Sequence, residues 1–569
     1  MIEGQARTAS PRGFAAAGAA CAAVVGVLLA WLLLTPMPVL RTELRVLQFW
    51  WLEATVFVGL AVAGAVLGEL ARSIDRRDVI ALSVLALAAI ALTLTLPRRT
   101  NRIFYDEQIY QNVARNLADA KRAQLCNDGA IRDGRLHCAA AEYNKQPYAF
   151  PHLISLAYRG FGVRPSIPFA LNAAAMGLTV ALVYVLVVAL FDDRIAAFAA
   201  ALVLALIPEQ LVWSASGAAE PWASLTCIAA LLAAACFSRS RSSTALAGVA
   251  IAAAYAVQFR PESLLIVPVV GLLVLQRAPE EVVTPRMLWA VVIFLATSAL
   301  LFGHDVAVRN EGWGTSQERM ALAFAIQNLR VNGWFFVHDP RFPVAFTLLA
   351  LVGCVVRGIP SGRLTMATYF LLFFVVTLFF YAGSYDYGAD VRYSLMTNPP
   401  VAIFAGLGAA AVWRQVHARP LPAIAVVVLA IVAAAQYLVV SLPVVRATTD
   451  SAWAARADVD FAKSFAPKLP KDAYVLTHNP GMFQVWGVNA GQMSLATDAR
   501  FLDELASRFG GGVYLHWNYW CNTDDPVHRA LCTQVRGLRP MSLTYEFRSG
   551  DQRFAFYRMD VSQRSHSNP

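Results

Sequence analysis

Asp106 and Glu107 stand side by side in a polar stretch that follows a long apolar run. A carboxylate in such a place can take up a proton or hold a cation. Lys145, Arg260 and Arg392 stand just before or after other apolar runs, and each can hold an anion. Glu220, Glu262, Asp386 and Asp390 share that placement. The middles of the runs are almost free of charge. Charged groups near a bilayer are costly and tend to face cavities or partners. Their shared depth therefore points to one cavity at the outer face of a membrane. Taken singly, each also has a structural reading. Asp106-Glu107 can be a solvated helix start, favoured by the helix dipole. Arg260-Pro261-Glu262 can be an ion pair, and Arg392-Tyr393 an interface anchor.

The elements that position these residues follow from composition. Of 569 residues, 58% are hydrophobic and only 15% charged, against roughly 45–50% and about 25% in soluble domains. Mean hydropathy is +0.52. About thirteen apolar runs approach the roughly 20 residues that a helix needs to cross a bilayer. The expected fold class is an all-α polytopic membrane protein with a small C-terminal extracytoplasmic α/β domain. The first run, at 14–34, reads as an uncleaved anchor rather than a signal peptide. The net charge of +10 sits in short loops, at Arg76, Arg77, Arg194, Arg239, Arg241, Arg277, Arg286, Arg363 and Arg414 among others. That bias sets orientation, with the N-terminus inside. It argues against nucleic acid as a partner; the lipid bilayer is the expected one.

On this plan residues 1–445 form the transmembrane domain, with outer loops at 97–165 and 304–340, and residues 446–569 form a soluble outer domain. The first loop carries an amphipathic helix at 106–121, expected to lie along the interface. The second carries another at 316–329. In the tail, strands are expected at 473–477 and 512–517, a helix at 500–509, and a hairpin about 548–552. Cys126/Cys138 and Cys521/Cys532 are close pairs on the side assigned as outer, so both are expected to be disulfides. Two metal sites are the alternative, without the usual His spacing.

The string Tyr105-Asp106-Glu107-Gln108-Ile109-Tyr110 resembles the acidic signature of the GT-C glycosyltransferases, in the branch that includes protein O-mannosyltransferases and the aminoarabinose transferase of lipid A. Asn144-Lys145-Gln146-Pro147-Tyr148 is similar to the turn that follows it there, with Asn144 where an acid is common and Glu142 nearby. Val391-Arg392-Tyr393-Ser394-Leu395, with Pro399 and Pro400, is similar to a late segment of the same enzymes. The resemblance covers the whole plan of spans and the outer C-terminal domain.

It implies transfer of a sugar from a polyprenyl-phosphate donor to an extracytoplasmic lipid, glycan or protein, with inversion, in the plasma membrane. Asp106 is then the base, with Glu107 beside it as the second catalytic acid. Lys145, Arg260 and Arg392 converge on the donor phosphate. Substrate contacts are expected from Tyr105, Tyr110, Glu142, Gln146, His152, Glu220, Glu262, Asp386, Asp390 and Tyr393. No cofactor is implied; a divalent metal on Asp106, Glu107, Asp386 and Asp390 is the alternative. The rival functions are transfer of a preassembled glycan from a polyprenyl diphosphate, and secondary transport, which predicts internal repeats and broken midplane helices. The topology is directly testable. A reporter fused after Val445 is expected to be active only outside the cytoplasm, and a cytoplasmic signal overturns the orientation.

Overall fold

The computed structural model describes residues 11–71, 74–103, 105–311, 319–356, 360–386, 390–418, 420–450 and 455–560. The chain divides into two units, Met1–Thr100 with Phe169–Ser451, and Asn101–Pro168 with Ala452–Pro569.

The first unit is helical and membrane-spanning. Eight of its described helices are long and apolar enough to cross a bilayer: Ala15–Leu34, Met37–Leu70, Arg76–Thr95, Ile167–Phe191, Glu220–Ser240, Pro285–Val308, Ser361–Leu378 and Ala430–Thr448. Arg194–Leu206 and Pro208–Ser214 make a ninth if taken as one span bent by 62°. The bend falls at Pro208, which holds Ile207 extended. Among the described residues these are eight or nine of the about thirteen apolar runs expected from the sequence. Ile266–Arg277 and Val344–Val355 have 12 residues each. At 1.5 Å per residue each reaches about 18 Å, short of a core about 30 Å thick.

Glu220–Ser240 is buried along 89% of its apolar window, against 6% for Ala15–Leu34. The former is therefore the centre of this unit, and the latter offers its apolar surface outward. The helix of the second outer loop begins later than expected and runs Leu322–Phe335; residues 312–318, which the sequence reading gave partly to this helix, lie outside the described residues. It is inside out by the standards of a soluble protein. Leu322, Ile326, Leu329 and Trp334 are exposed, while Asn328 and Asn332 are buried. Asn328 donates to the carbonyls of Leu378 (2.9 Å) and Phe380 (3.0 Å), and Asn332 to that of Gly383 (2.9 Å). An apolar outer face with satisfied polar groups inside suits a hydrocarbon or interfacial setting.

The second unit is an α/β domain around one seven-stranded sheet. Its strands are β1 (Leu125–Arg132), β2 (Arg135–Glu142), β3 (Tyr474–Thr477), β4 (Asn489–Gln492), β5 (Val513–Trp517), β6 (Met541–Ser549) and β7 (Gln552–Met559). Their order is β2-β1-β4-β3-β5-β7-β6. β3 runs parallel to β4 and β5, and the other pairs are antiparallel. Side chains alternate as the pleat requires. Tyr474, Leu476, Val513, Leu515, Ala555 and Tyr557 fill one core with Leu502, Leu505 and Val535 from two helices. Val475, Tyr514, Phe554 and Phe556 fill the other with Phe461 and Phe483.

The first outer loop contributes to this sheet, because β1 and β2 extend the strands of the tail. β1 pairs with β4 at Asp128–Gly491 and Gly129–Ala490. The Tyr474 hydroxyl donates to Asp128 at 2.5 Å. The β1–β2 hairpin turns on Asp133-Gly134, both at positive φ, the pair that such a turn favours.

Both disulfides are present, Cys126–Cys138 and Cys521–Cys532, with Cα separations of 5.7 and 5.6 Å. The second ties the turn at Tyr519–Cys521 to the helix Pro526–Gly537. A loop this short is expected to contribute about 3 kcal/mol. Replacing Cys521 and Cys532 together by serine should lower the melting temperature of the purified protein; an unchanged value would mean that the bond adds nothing.

Candidate functional site

In the membrane unit three segments bring charged residues together. Glu220 opens the helix Glu220–Ser240. Arg260 closes the helix Ser243–Phe259, and Glu262 lies in the 3-10 turn Pro261–Leu265 that follows. Arg392 and Tyr393 lie in the 3-10 segment Asp390–Met396. That segment is held to the first by Ser224, whose hydroxyl donates to the Leu395 carbonyl at 3.2 Å.

Glu220 is 1% exposed, and one of its oxygens lies 3.1 Å from Arg260 Nη1 and 3.2 Å from Arg392 Nε. Glu262 lies 2.7 Å from Arg260 Nε. Both guanidinium groups lie over the Tyr393 ring, at 5.5 and 5.2 Å from its centre. Two arginines, two carboxylates and one aromatic face thus form a single cluster, the setting in which a guanidinium is held in fixed orientation.

Asp386 belongs to a second group. Arg341 Nη2 lies 2.5 Å from Asp339 and 3.7 Å from Asp386, and Arg341 Nε lies 3.9 Å from the buried Glu209. The sequence reading missed Glu209, Asp339 and Arg341. The available signals were Pro208-Glu209 within an apolar run and the Asp339-Pro340-Arg341 turn. The side chain of Asp390 lies outside the described residues.

In the α/β unit, Asp106 is the first residue of the helix Asp106–Ala120. Asp106 is partly exposed, whereas Glu107 is fully buried. One oxygen of Glu107 accepts from the Arg102 backbone N–H at 3.1 Å. The two neighbouring acids therefore have different settings. The helix does not have the single buried stripe expected of it, for ten of its 15 residues are buried. Two of its polar residues are matched by the tail. Asn112 donates to the Gln484 side chain at 2.5 Å, and Arg115 donates to the Gln484 carbonyl.

Tyr110 packs edge-on against Phe150, with ring centres 5.9 Å apart. The starts of the helices Asp106–Ala120 and Ala149–Phe161 are therefore neighbours. Lys145 lies in the turn before the second of these. The turn is braced by Asn144, which donates to the Gln146 carbonyl at 2.9 Å, and by Tyr148, which donates to the Asn144 carbonyl at 3.0 Å. Gln146 and His152 are buried. Glu142 ends β2 and accepts from Asn127 at 2.9 Å. Tyr105 is buried too, and its hydroxyl donates to Asp458 at 2.8 Å; Asp458 is another residue that the sequence reading missed.

Among the described residues, the one group of metal-capable ligands is His478 with Cys521 and Cys532. Both sulfurs are joined to each other, so they are not metal thiolates here. Burial and the neighbouring His528 push the His478 pKa down to about 4.

No family model matches the chain, and no curated protein matches it in sequence. Solved structures do resemble it. The crystal structure of ArnT from Cupriavidus metallidurans bound to undecaprenyl phosphate has a TM-score of 0.52 at 14% identity, covering 84% of this chain and 97% of that one. The apo form of the same protein also has a TM-score of 0.52 at 14% identity, covering 85% and 98%. At this identity the likeness establishes the fold, which is the GT-C fold implied by the resemblance of the motifs.

Glu220 is the member of the membrane cluster whose loss is most easily read. Glu220→Ala leaves two arginines side by side without their shared counterion, and breaking such a buried pair costs about 3–5 kcal/mol. Thermal denaturation should detect that loss, and Arg260→Met in the same background should recover part of it. A Glu220→Ala protein as stable as wild type overturns the pairing as a structural contact.

Proposed function

We propose that the chain is a membrane glycosyltransferase that takes a sugar from a polyprenyl-phosphate donor and passes it to an extracytoplasmic acceptor. The observation that carries this reading is the pairing of Arg260 and Arg392 on one buried carboxylate, in a chain with the fold of a protein crystallised with undecaprenyl phosphate. The same arginines suit a phosphate, since guanidinium groups match its oxygens two at a time.

The acceptor hydroxyl or amine attacks the anomeric carbon as the bond from that carbon to the phosphate oxygen breaks. The electron pair leaves with the phosphate, and the acceptor proton goes to Asp106. Attack opposite to the leaving group inverts the anomeric centre. Partial exposure of Asp106 supports this role, while Glu107 is buried and occupied with the Arg102 backbone. The phosphate is already a good leaving group, so positioning and charge compensation supply most of the acceleration. The acceptor is an envelope lipid, glycan or protein, and the C-terminal domain is extracytoplasmic.

Asp106→Asn should lower turnover by about 10²–10⁴-fold, the usual contribution of a general base, while undecaprenyl phosphate still binds. Glu107→Gln should lose less. Arg260→Ala and Arg392→Ala should each weaken undecaprenyl phosphate binding by about 2–5 kcal/mol. The assay is release of undecaprenyl phosphate from lipid-linked sugars extracted from the native membrane, with binding of undecaprenyl phosphate itself measured separately. Wild-type turnover in purified Asp106→Asn removes Asp106 from the mechanism; unchanged binding in both arginine variants removes the phosphate site.

A further inference from the structure

Asp458 lies on the first turn of the helix Arg456–Phe465 and has no solvent exposure. A carboxylate in that position requires partners; two donors serve one of its oxygens and a ring nitrogen lies close to the other. The Tyr105 hydroxyl donates to Oδ2 at 2.8 Å, and the Tyr519 backbone N–H donates to the same oxygen at 3.0 Å. His516 Nε2 lies 2.9 Å from Oδ1. The other ring nitrogen of His516 lies 3.1 Å from Thr477 Oγ1. That oxygen in turn accepts from the Asn479 backbone at 3.3 Å and from the Asn518 amide at 3.4 Å. The His516 ring is stacked on Phe556 at 4.9 Å. The result is a buried polar chain that begins on β3 and β5 and ends on the residue before Asp106.

Tyr105 is the residue at which the helix Asp106–Ala120 begins, and its own side chain caps no backbone group of that helix. Its hydroxyl reaches into the tail instead. Its ring lies 6.0 Å from that of Trp520. Burial, together with the charge of Asp458, holds the phenol pKa well above its usual value, so the hydroxyl remains a donor at any working pH. The sequence reading gave Tyr105 a substrate contact, but this geometry gives its hydroxyl a different use.

We propose that Asp458 is a positioning residue for Asp106, acting through the Tyr105 hydroxyl, so that the C-terminal domain sets the geometry of the base. The proposal rests on the reading of Asp106 as that base. A general base works only within hydrogen-bond reach of its proton, and a displacement of about 1 Å can cost on the order of 10²-fold. On the helical side Asp106 is fixed by the helix it opens, and on the other its N–H donates to the Ile103 carbonyl at 3.0 Å. The anchored Tyr105 holds the turn between Ile103 and Asp106 in place.

Tyr105→Phe removes one oxygen and keeps the ring against Trp520, so the fold is preserved. Asp458→Asn is the second variant, and the double variant completes the cycle. The full chain is reconstituted in nanodiscs and read in three ways: amide hydrogen exchange of residues 106–112, binding of undecaprenyl phosphate, and release of undecaprenyl phosphate from lipid-linked sugars. Both single variants should exchange faster in that segment and turn over about 10–100-fold more slowly. Binding of undecaprenyl phosphate should stay within about twofold, since neither substitution removes a proposed phosphate ligand. The double variant should be no worse than the poorer single one. Binding and turnover falling together with the melting temperature would make the network purely structural and overturn the proposal. An inactive Asp106→Asn beside a wild-type Tyr105→Phe overturns the tether alone. A fully active Asp106→Asn overturns the base assignment and, with it, this role for Asp458.

Discussion

A carboxylate removed from water must be matched by cations, and Glu220 is where the membrane unit meets that demand. Desolvation costs several kcal/mol per ion even after relaxation. Glu220 is 1% exposed, and Arg260 and Arg392 are the cations that face it. The reverse also holds. Two guanidinium groups over one tyrosine ring would repel each other without the acid between them. This mutual requirement fixes a helix start, an interhelical turn and a 3-10 segment that are far apart in sequence. The membrane unit thereby obtains a rigid, arginine-rich cluster without placing an unpaired charge in a low dielectric.

The same rule explains why the first outer loop and the tail make one unit. The helix Asp106–Ala120 buries Gln108, Gln111, Asn112, Arg115 and Asn116. Buried polar groups are costly unless hydrogen-bonded, and the loop supplies only part of what they need: Tyr158 donates to Gln111 (3.2 Å), the Cys126 N–H to Asn112 (2.9 Å) and Arg115 to the Gly134 carbonyl (2.8 Å). Gln484 supplies several: its side chain takes the Asn112 amide and donates to the carbonyls of Cys126 (3.3 Å) and Ala490 (2.9 Å), and its carbonyl takes Arg115. Asp458 does the same for Tyr105. Satisfaction of these groups, together with β1 pairing to β4, determines the register of the joined sheet.

Some of this was legible in advance. The two disulfides follow from close spacing and a shared compartment. The tail strands β3 and β5 and the β6–β7 hairpin follow from period-two alternation and turn residues. The Asp133-Gly134 hairpin was also written in the chain, although the amphipathic helix before it drew the reading away. Helix lengths were less legible, because hydropathy measures apolarity and not where a helix breaks: the helices in the runs expected at 264–276 and 342–356 have 12 residues each.

By itself the sequence determined the membrane class, the short motifs that carry the resemblance, and the identity of the charged residues that could act. These are properties of composition, periodicity and short motifs, which survive without knowledge of neighbours. Tertiary structure alone decided which charges share a partner. It joined Glu220 to Arg260 and Arg392, set Asp386 apart with Arg341, distinguished partly exposed Asp106 from buried Glu107, and tied Tyr105 to Asp458. The reason is electrostatic. A buried ion or donor is stabilised by whatever the fold brings within about 3 Å, and no local pattern records a partner that lies on another element.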